Sequence, residues 1–317
     1  MSDVRYNEIS AEEDGQRLDN YLMRVLKGVP KSHIYRIIRG GEVRINKKRA
    51  KPSSRVVQGD LIRIPPIRLA ENKEIHVGDK LIARLNECIL FEDNELLVVN
   101  KPAGIAVHGG SGLSLGMIEA LRKMRTDLSY IELVHRLDKD TSGCLLFAKK
   151  RSALRAIQSL LAEREVTKTY WALLSYPWTG AKTQFVDAPL EKNTLKSGER
   201  LVKVSEQGKP SQTSFKLLEN YQHACWVEAM PKTGRTHQIR VHSAFLGHPI
   251  VGDEKYGKPE SLTPLNIGKP RLYLHARAIE FTLKDKVHRY EASLDTRFAK
   301  TLVQLRDSMI NPLQKSD

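Results

Sequence analysis

His135-Arg136-Leu137-Asp138-Lys139-Asp140-Thr141-Ser142-Gly143 is the stretch on which the reading of this 317-residue chain turns. It follows the apolar run Tyr130 to Val134 and precedes the strand-like Cys144 to Ala148. Charged and hydroxyl side chains packed this densely between two apolar segments predict a loop at a sheet edge, where sites are often built. Asp, Thr, Ser and Gly are also turn formers, so a plain turn competes, and composition leaves the two evenly matched. A calcium loop is a third reading, because Asp138, Asp140, Ser142 and Gly143 mimic the first half of an EF-hand. It fails where the bidentate glutamate is required, since Lys149 stands at position twelve.

Outward from this loop the chain alternates short strands and helices. Ile89-Leu90-Phe91 and Leu96 to Val99 flank Glu92-Asp93-Asn94-Glu95, which predicts a hairpin. Ser114 to Met124 and Arg151 to Glu165 have helical periodicity, and Arg235 to Gly247 reads as a helix ending at a glycine. Strand-like segments recur at Thr169 to Leu174, Thr213 to Leu218, Cys225 to Ala229, Leu272 to Phe281 and Tyr290 to Leu294. Their irregular order predicts an α+β domain with a mixed, mainly antiparallel sheet rather than a regular parallel repeat.

The amino-terminal part has a different character. Leu18, Tyr21, Leu22, Val25 and Leu26 repeat at helical spacing, and Pro30 and Ser32 open a second helix with Ile34, Ile37 and Ile38 on one side. Glu42 to Asn46 then alternates as a strand, and Val56-Val57 with Leu61 to Ile64 around Gly59-Asp60 reads as a hairpin. Pro65-Pro66 closes this unit, Arg68 to Gly78 reads as a linker, and the boundary is expected near residue 80, giving units 1–80 and 81–317. The chain carries +15 at pH 7. From Arg17 to Arg68 fourteen lysines and arginines face only Asp19, Glu42 and Asp60, and a bias this concentrated predicts a polyanionic partner bound through counterion release. No run of apolar residues is long enough for a membrane helix, and MSDVRYNEIS lacks the organisation of a secretory signal. Cys88, Cys144 and Cys225 fit neither a disulfide framework nor a zinc knuckle, so a reducing, cytoplasmic setting is expected.

The loop at Asp138 resembles the HRLDxxTSG signature of the RluA-type pseudouridine synthases. Further segments agree in order: Asn100-Lys101-Pro102-Ala103-Gly104 with Val107-His108-Gly109-Gly110, Lys168-Thr169-Tyr170, Gly234 to His242, and Leu272-Tyr273-Leu274-His275-Ala276. The basic amino-terminal unit resembles the alpha-L RNA-binding domain that many members carry. Lys27 to Ser32 and His108 to Leu113 are similar to a branch acting on large-subunit ribosomal RNA. The resemblance spans roughly residues 14 to 300 and implies the pseudouridine synthase fold, an RNA substrate and no cofactor. It implies that Asp138 is the essential aspartate, Tyr170 the active-site tyrosine and Arg240 the arginine paired with the aspartate. It also implies that Arg136 fills the gap left by a flipped base and that Leu274 contacts that base.

The chemistry suits these residue types. Converting uridine to pseudouridine breaks the bond from the anomeric carbon to uracil nitrogen, turns the ring and rejoins it through carbon five. No atom is gained or lost, and no metal-ligand spacing is seen. Cleavage builds positive charge on the sugar, which a carboxylate can stabilise or attack, or the carboxylate can remove a ribose proton. Such an acid acts ionised, and an arginine beside it favours that form. Tyr170 lies in a strand pattern where tyrosine is commonly half-buried sheet, and stacking on uracil suits it better than acting as base. Lys101 begins a loop that is either a plain turn or a phosphate contact, and His135 joins it as a candidate substrate contact. His237, His242 and His248 lack a cysteine or carboxylate to complete a metal shell and are expected to be structural or RNA-contacting. Arg17, Lys31, Arg36, Arg44 and Lys48 would supply backbone affinity for RNA, with the nucleotide extruded for reaction. The expected partner is large-subunit ribosomal RNA, the expected state a monomer. An RNA-gripping assembly factor, a synthase acting on tRNA and a nucleobase deaminase are the alternatives, the last weakened by the lack of a paired-cysteine signature.

Overall fold

The computed structural model describes residues 4–26, 29–67, 85–109, 116–194, 200–268 and 271–310. The expected linker, the boundary near residue 80, Lys27-Gly28, Gly110 to Leu113, and the expected helix start at Ser114 lie outside them. The backbone parts into two compact units, Met1–Val77 and Gly78–Asp317.

In the first unit, helix α1 (Leu18–Val25) buries Leu18, Tyr21 and Leu22, while Val25 is exposed. Helix α2 (Lys31–Arg39) starts behind Pro30, whose fixed φ suits a helix entry, and buries Ile34, Ile37 and Ile38. A four-stranded sheet completes the unit: β1 (Arg5–Glu8), β2 (Arg44–Ile45), β3 (Lys48–Arg49) and β4 (Leu61–Ile64), in the order β1-β4-β2-β3. Asn46 and Lys47 both take positive φ, the two-residue turn whose twist matches its strands, so β2 and β3 form a tight hairpin. The hairpin expected between Val56-Val57 and Leu61 to Ile64 is not there. Gly59-Asp60 does turn, but the Val56 amide donates to the Gln16 carbonyl and β4 pairs with β1 and β2 instead. Strand β1 was unread because Arg5-Tyr6-Asn7-Glu8 has no apolar alternation to mark it.

The second unit is built on a ten-stranded sheet whose main path runs through Thr183–Asp187, Gln212–Asn220, Ala224–Pro231, Thr167–Ser175, Leu274–Leu283, Ser142–Ala148, Leu96–Lys101 and Ile89–Glu92. In chain order the elements are β5 (Ile89–Glu92), β6 (Leu96–Lys101), α3 (Met117–Met124), β7 (Glu132–Leu133), β8 (Ser142–Ala148), α4 (Arg151–Glu163) and β9 (Thr167–Ser175). Then come β10 (Thr183–Asp187), β11 (Leu190–Thr194), β12 (Arg200–Val204), β13 (Gln212–Asn220), β14 (Ala224–Pro231) and α5 (Gln238–Phe245). The last are β15 (Leu274–Leu283), β16 (Lys286–Glu291) and α6 (Thr296–Ile310). Among the named strand pairs only β8 with β15 runs parallel, so the sheet is mixed and mainly antiparallel, as expected. The last strand begins at Lys286 rather than at the expected Tyr290.

Strands β6 and β8 explain why their sequences are apolar without alternation. Leu96, Val98, Cys144 and Leu146 face the side covered by α4, which contributes Ala153 and Ile157. Leu97, Val99, Leu145 and Phe147 face the side covered by α3, through Met117, Ile118 and Leu121. A strand covered on both faces has no solvent side to keep polar. Leu137, Ala276 and Tyr170 join the α3 side, so the Asp138 loop and the tyrosine share that face.

Candidate active site

The loop at Asp138 connects β7 to β8, two strands paired antiparallel by Leu133 with Phe147. Leu137 is buried and anchors it, and the Thr141 amide donates to the Asp138 carbonyl at 3.2 Å, closing the turn. Asp138 and its neighbours therefore project from the end of a strand that the core holds in place. Gly143 follows, at φ +111, because β15 passes close: a Cβ there would stand 2.2 Å from the Ala276 carbonyl oxygen. Ala276 is flanked by Gly143 on β8 and by Tyr170 on β9, which places the tyrosine one strand away from the loop.

Two groups from a distant part of the chain converge on the Asp138 carboxylate. Arg240 Nη1 lies 3.5 Å from Oδ2, and His237 Nε2 lies 3.7 Å from the same oxygen. Arg240 is not the surface arginine of a helix. It is buried, and its Nε and Nη2 both donate to Asp253 at 2.7 Å in a bidentate pair, leaving Nη1 for Asp138. Burial opposes its charge, but Asp253 outweighs that and raises it further. Asp253 also accepts the backbone N–H groups of Lys255 and Tyr256, so the same carboxylate shapes the turn that carries Tyr256. The Tyr256 ring lies 5.1 Å beneath the Arg240 guanidinium, and its hydroxyl is 2.8 Å from His237 Nδ1.

His237 caps α5 in the left-handed conformation, φ 54, at a cost of about 1–2 kcal/mol for an L-residue. Gln238 makes that turn rigid. Its carbonyl oxygen accepts from the Thr233 hydroxyl (2.7 Å) and the Arg235 N–H (3.0 Å). Its amide nitrogen donates to the Gln212 carbonyl (2.8 Å) and to Thr213 Oγ1 (2.9 Å). All four of its hydrogen-bonding capacities are used in a buried setting, so the loop before α5 has one arrangement. Burial first, opposed by Asp138 and reinforced by Arg240 and Lys255, lowers His237 below the usual histidine range.

Tyr170 is largely covered, and burial, then the negative charge of Asp138, pushes its phenol well above the usual tyrosine range. A phenol that resists ionisation is a poor base and a good apolar platform, which favours stacking over proton abstraction. Leu274 is opposite Ala172 and Ala276 opposite Tyr170, so with a two-residue repeat Leu274 and Tyr170 lie on one face. Leu274 is only 4% exposed and belongs to the core beneath that face. Arg136 is exposed one residue from Leu137, a long cation on the outer side of the loop.

Two candidates take a different place from the one expected. Lys101 is fully buried, and its Nζ donates to the carbonyls of Pro102 (2.9 Å), Ile105 (2.8 Å) and Lys139 (2.9 Å). The buried Nζ is taken up by these three carbonyls and braces the Asp138 loop, with no open side left for a phosphate. His135 turns inward too: its Nε2 accepts the Leu146 N–H at 3.2 Å, and burial lowers it to about 4. It fastens the loop to β8 as a neutral imidazole. His242, expected to be structural or RNA-contacting, accepts from Thr213 at Nδ1 and donates to the Ala188 carbonyl at Nε2. Among the described residues no group of three or more His, Cys, Asp or Glu is arranged to hold a metal.

In the amino-terminal unit, Lys31 and Arg36 line a shallow concavity on α2 together with Ser32, Tyr35, Arg39 and Gly40. Lys31 and Arg39 sit over the Tyr35 ring. Arg17 pairs with Asp19, Arg44 donates to the Gly41 and Lys47 carbonyls, and Lys48 is exposed on β3.

His237, Asp253 and Tyr256 were not singled out as site residues from sequence. Gly252-Asp253-Glu254-Lys255-Tyr256-Gly257, a polar turn after the apolar Ile250-Val251, carries the same kind of signal as the Asp138 segment.

The sequence matches the RNA pseudouridylate synthase family over residues 95–245 and the S4 domain over residues 16–62. It is 53% identical over 308 residues to ribosomal large subunit pseudouridine synthase C of Yersinia pestis, spanning 96% of both chains. To the protein of the same name from Escherichia coli (strain K12) it is 52% identical over 312 residues, spanning 96% of this chain and 98% of the other. Among solved structures, it is similar to human RNA pseudouridylate synthase domain containing 4, with TM-score 0.60 and 28% identity over 72% of this chain and 96% of that one.

Proposed function

We propose that this chain, which belongs to the RNA pseudouridylate synthase family, isomerises specific uridines of large-subunit ribosomal RNA with Asp138 as the reacting carboxylate. The observation that carries the assignment is the convergence of Arg240 Nη1 and His237 Nε2 on one oxygen of Asp138, on the sheet face that Tyr170 shares. Positive charge developing at the anomeric carbon would meet this carboxylate, while uracil is held against the Tyr170 ring. The target base lies inside a stack and must be turned out to react. Arg136, exposed beside the loop, suits the vacated space because guanidinium both stacks and binds phosphate. Lys31, Arg36 and Arg39 on α2, with Arg17, Arg44 and Lys48, would hold the RNA backbone with little regard to sequence. The substrate follows from the relatives' names and from 52–53% identity along nearly the full chain. A monomer acting without a small-molecule cofactor in the cytoplasm fits this reading.

Asp138→Asn in the full-length protein is expected to abolish pseudouridine formation, read by carbodiimide mapping of large-subunit RNA, while RNA affinity persists. Retained activity would remove Asp138 from the chemistry. Retained affinity with no modification by the native protein would favour an RNA-binding assembly factor.

A further inference from the structure

We propose that His237 is a positioning residue for the reacting carboxylate: held by Tyr256 as the Nε2–H tautomer, it shares Oδ2 of Asp138 with Arg240 and so turns Oδ1 toward the ribose. This rests on Asp138 being the group that reacts.

Proton accounting favours one tautomer. With the Val202 N–H already donating to the Tyr256 hydroxyl oxygen at 3.1 Å, the hydroxyl makes its second hydrogen bond best as a donor. The acceptor is His237 Nδ1, 2.8 Å away. A neutral imidazole has one acceptor nitrogen and one N–H, so a ring that accepts at Nδ1 carries its proton at Nε2. Nε2 is the nitrogen directed at Asp138. The groups around the ring are Asp138, Asp253, Arg240, Lys255 and Tyr256; burial, with Arg240 and Lys255, favours the neutral imidazole against the two carboxylates.

Geometry supplies the consequence. Both approaches to Asp138 are to Oδ2, one from Arg240 and one from His237. A carboxylate with two nitrogen groups drawn up to one of its oxygens, at 3.5 and 3.7 Å, has that oxygen attracted to their side and its other oxygen presented. His237 reaches this place only by adopting φ 54, in a loop that Gln238 secures with four hydrogen bonds. Strain that persists because its surroundings over-determine it is a mark of positions serving function. The chain of contacts also runs outward. Val202 belongs to β12, so the hairpin formed by β11 and β12 is coupled to the carboxylate through one tyrosine and one histidine.

Single-turnover kinetics on an unmodified large-subunit RNA transcript, with filter-binding affinity, test the role in the full-length protein. His237→Ala is expected to lower the single-turnover rate by about 10- to 100-fold, the scale of a misplaced reacting group, and leave the dissociation constant unchanged. His237→Gln, whose terminal amide can donate from the Nε2 position, is expected to recover part of that rate. Nitrogen-15 spectra of the native protein are expected to show His237 protonated at Nε2 alone, and Tyr256→Phe to mix the two tautomers while slowing turnover. An unchanged rate in His237→Ala, equal losses in the Ala and Gln variants, or a native ring protonated at Nδ1 would each overturn the proposal. Asp138→Asn measured alongside separates the two readings. If it stays active, the assignment of Asp138 fails. If it is inactive while His237→Ala is wild-type, only the present inference does.

Discussion

Asp253 receives two hydrogen bonds from Arg240 and two from backbone amides, and its side chain is fully buried. Arg240 thus reaches Asp138 already neutralised by another carboxylate, and its job at Oδ2 is one of direction as much as charge. Asp253→Ala would leave a guanidinium that is only 8% exposed without its main partner, and breaking such a buried pair costs about 3–5 kcal/mol. Urea unfolding of that variant is expected to show a loss of this size together with lowered synthase activity; a loss below about 1 kcal/mol would mean the pair is not needed to hold the helix. At this scale Asp138, Tyr170 and Arg240 could be named as candidates from sequence, because the motifs that carry them are specific. The surroundings of Lys101 were not. A lysine in a Lys-Pro-Ala-Gly loop looks like a surface cation, and only folding shows three carbonyls arranged around its ammonium. His237 was grouped with the structural or RNA-contacting histidines because nothing beside it in the chain reveals that the Asp138 carboxylate approaches it.

Parallel pairing of β15 with β8 depends on glycine at one position. Gly143 lies at φ +111, and an added Cβ would meet the Ala276 oxygen, nitrogen and carbonyl carbon at 2.2–2.7 Å. Those are backbone atoms of a central strand and have nowhere to go. Gly143→Ala is therefore expected to destabilise the synthase unit by about 3 kcal/mol or more, read as a lowered midpoint in chemical denaturation, and to displace the Asp138 loop. A variant as stable as the native protein would show that β15 can shift to make room. Elements with a clear period were legible: α1, α2, α4, β9 and the hairpin of β5 with β6 appear close to where they were expected. Thr183 to Asp187, Leu190 to Thr194 and Arg200 to Val204 were missed because five residues are too few to show a period, and their partners in the fold make them regular. Helix α6 was also missed, although Phe298, Leu302 and Leu305 are buried at helical spacing.

Two imidazoles, His275 fully buried and His135 partly covered, give the molecule an acid sensitivity. His135 and His275 are both lowered by burial to about 4 from an ordinary 6.5. Burial keeps each neutral: His135 accepts the Leu146 N–H, while His275 accepts from Ser142 and donates to the Ala292 carbonyl, a contact that works against the burial. Between pH 6.5 and 4 the unfolded chain binds protons that the folded one refuses, so stability falls as pH falls, by up to about 1.4 kcal/mol per pH unit for each group. The urea midpoint is expected to drop steadily across this window, and His275→Gln to make the slope shallower; an equally steep slope in that variant would remove His275 as a cause. The concentration of positive charge between Arg17 and Arg68 was visible in the sequence, as were the family, the order of an S4 domain before a synthase domain, and the identities of the motif residues. These are local quantities: charge, period and spacing along the chain. What the sequence could not show is which groups meet. Asp138, Tyr170, His237, Arg240, Asp253 and Tyr256 come from four separate segments, and their distances depend on how strands far apart in the chain pair and how buried side chains share their hydrogen bonds. Only the tertiary structure decides that, because such contacts form through packing of the whole core and leave no periodic trace at either end.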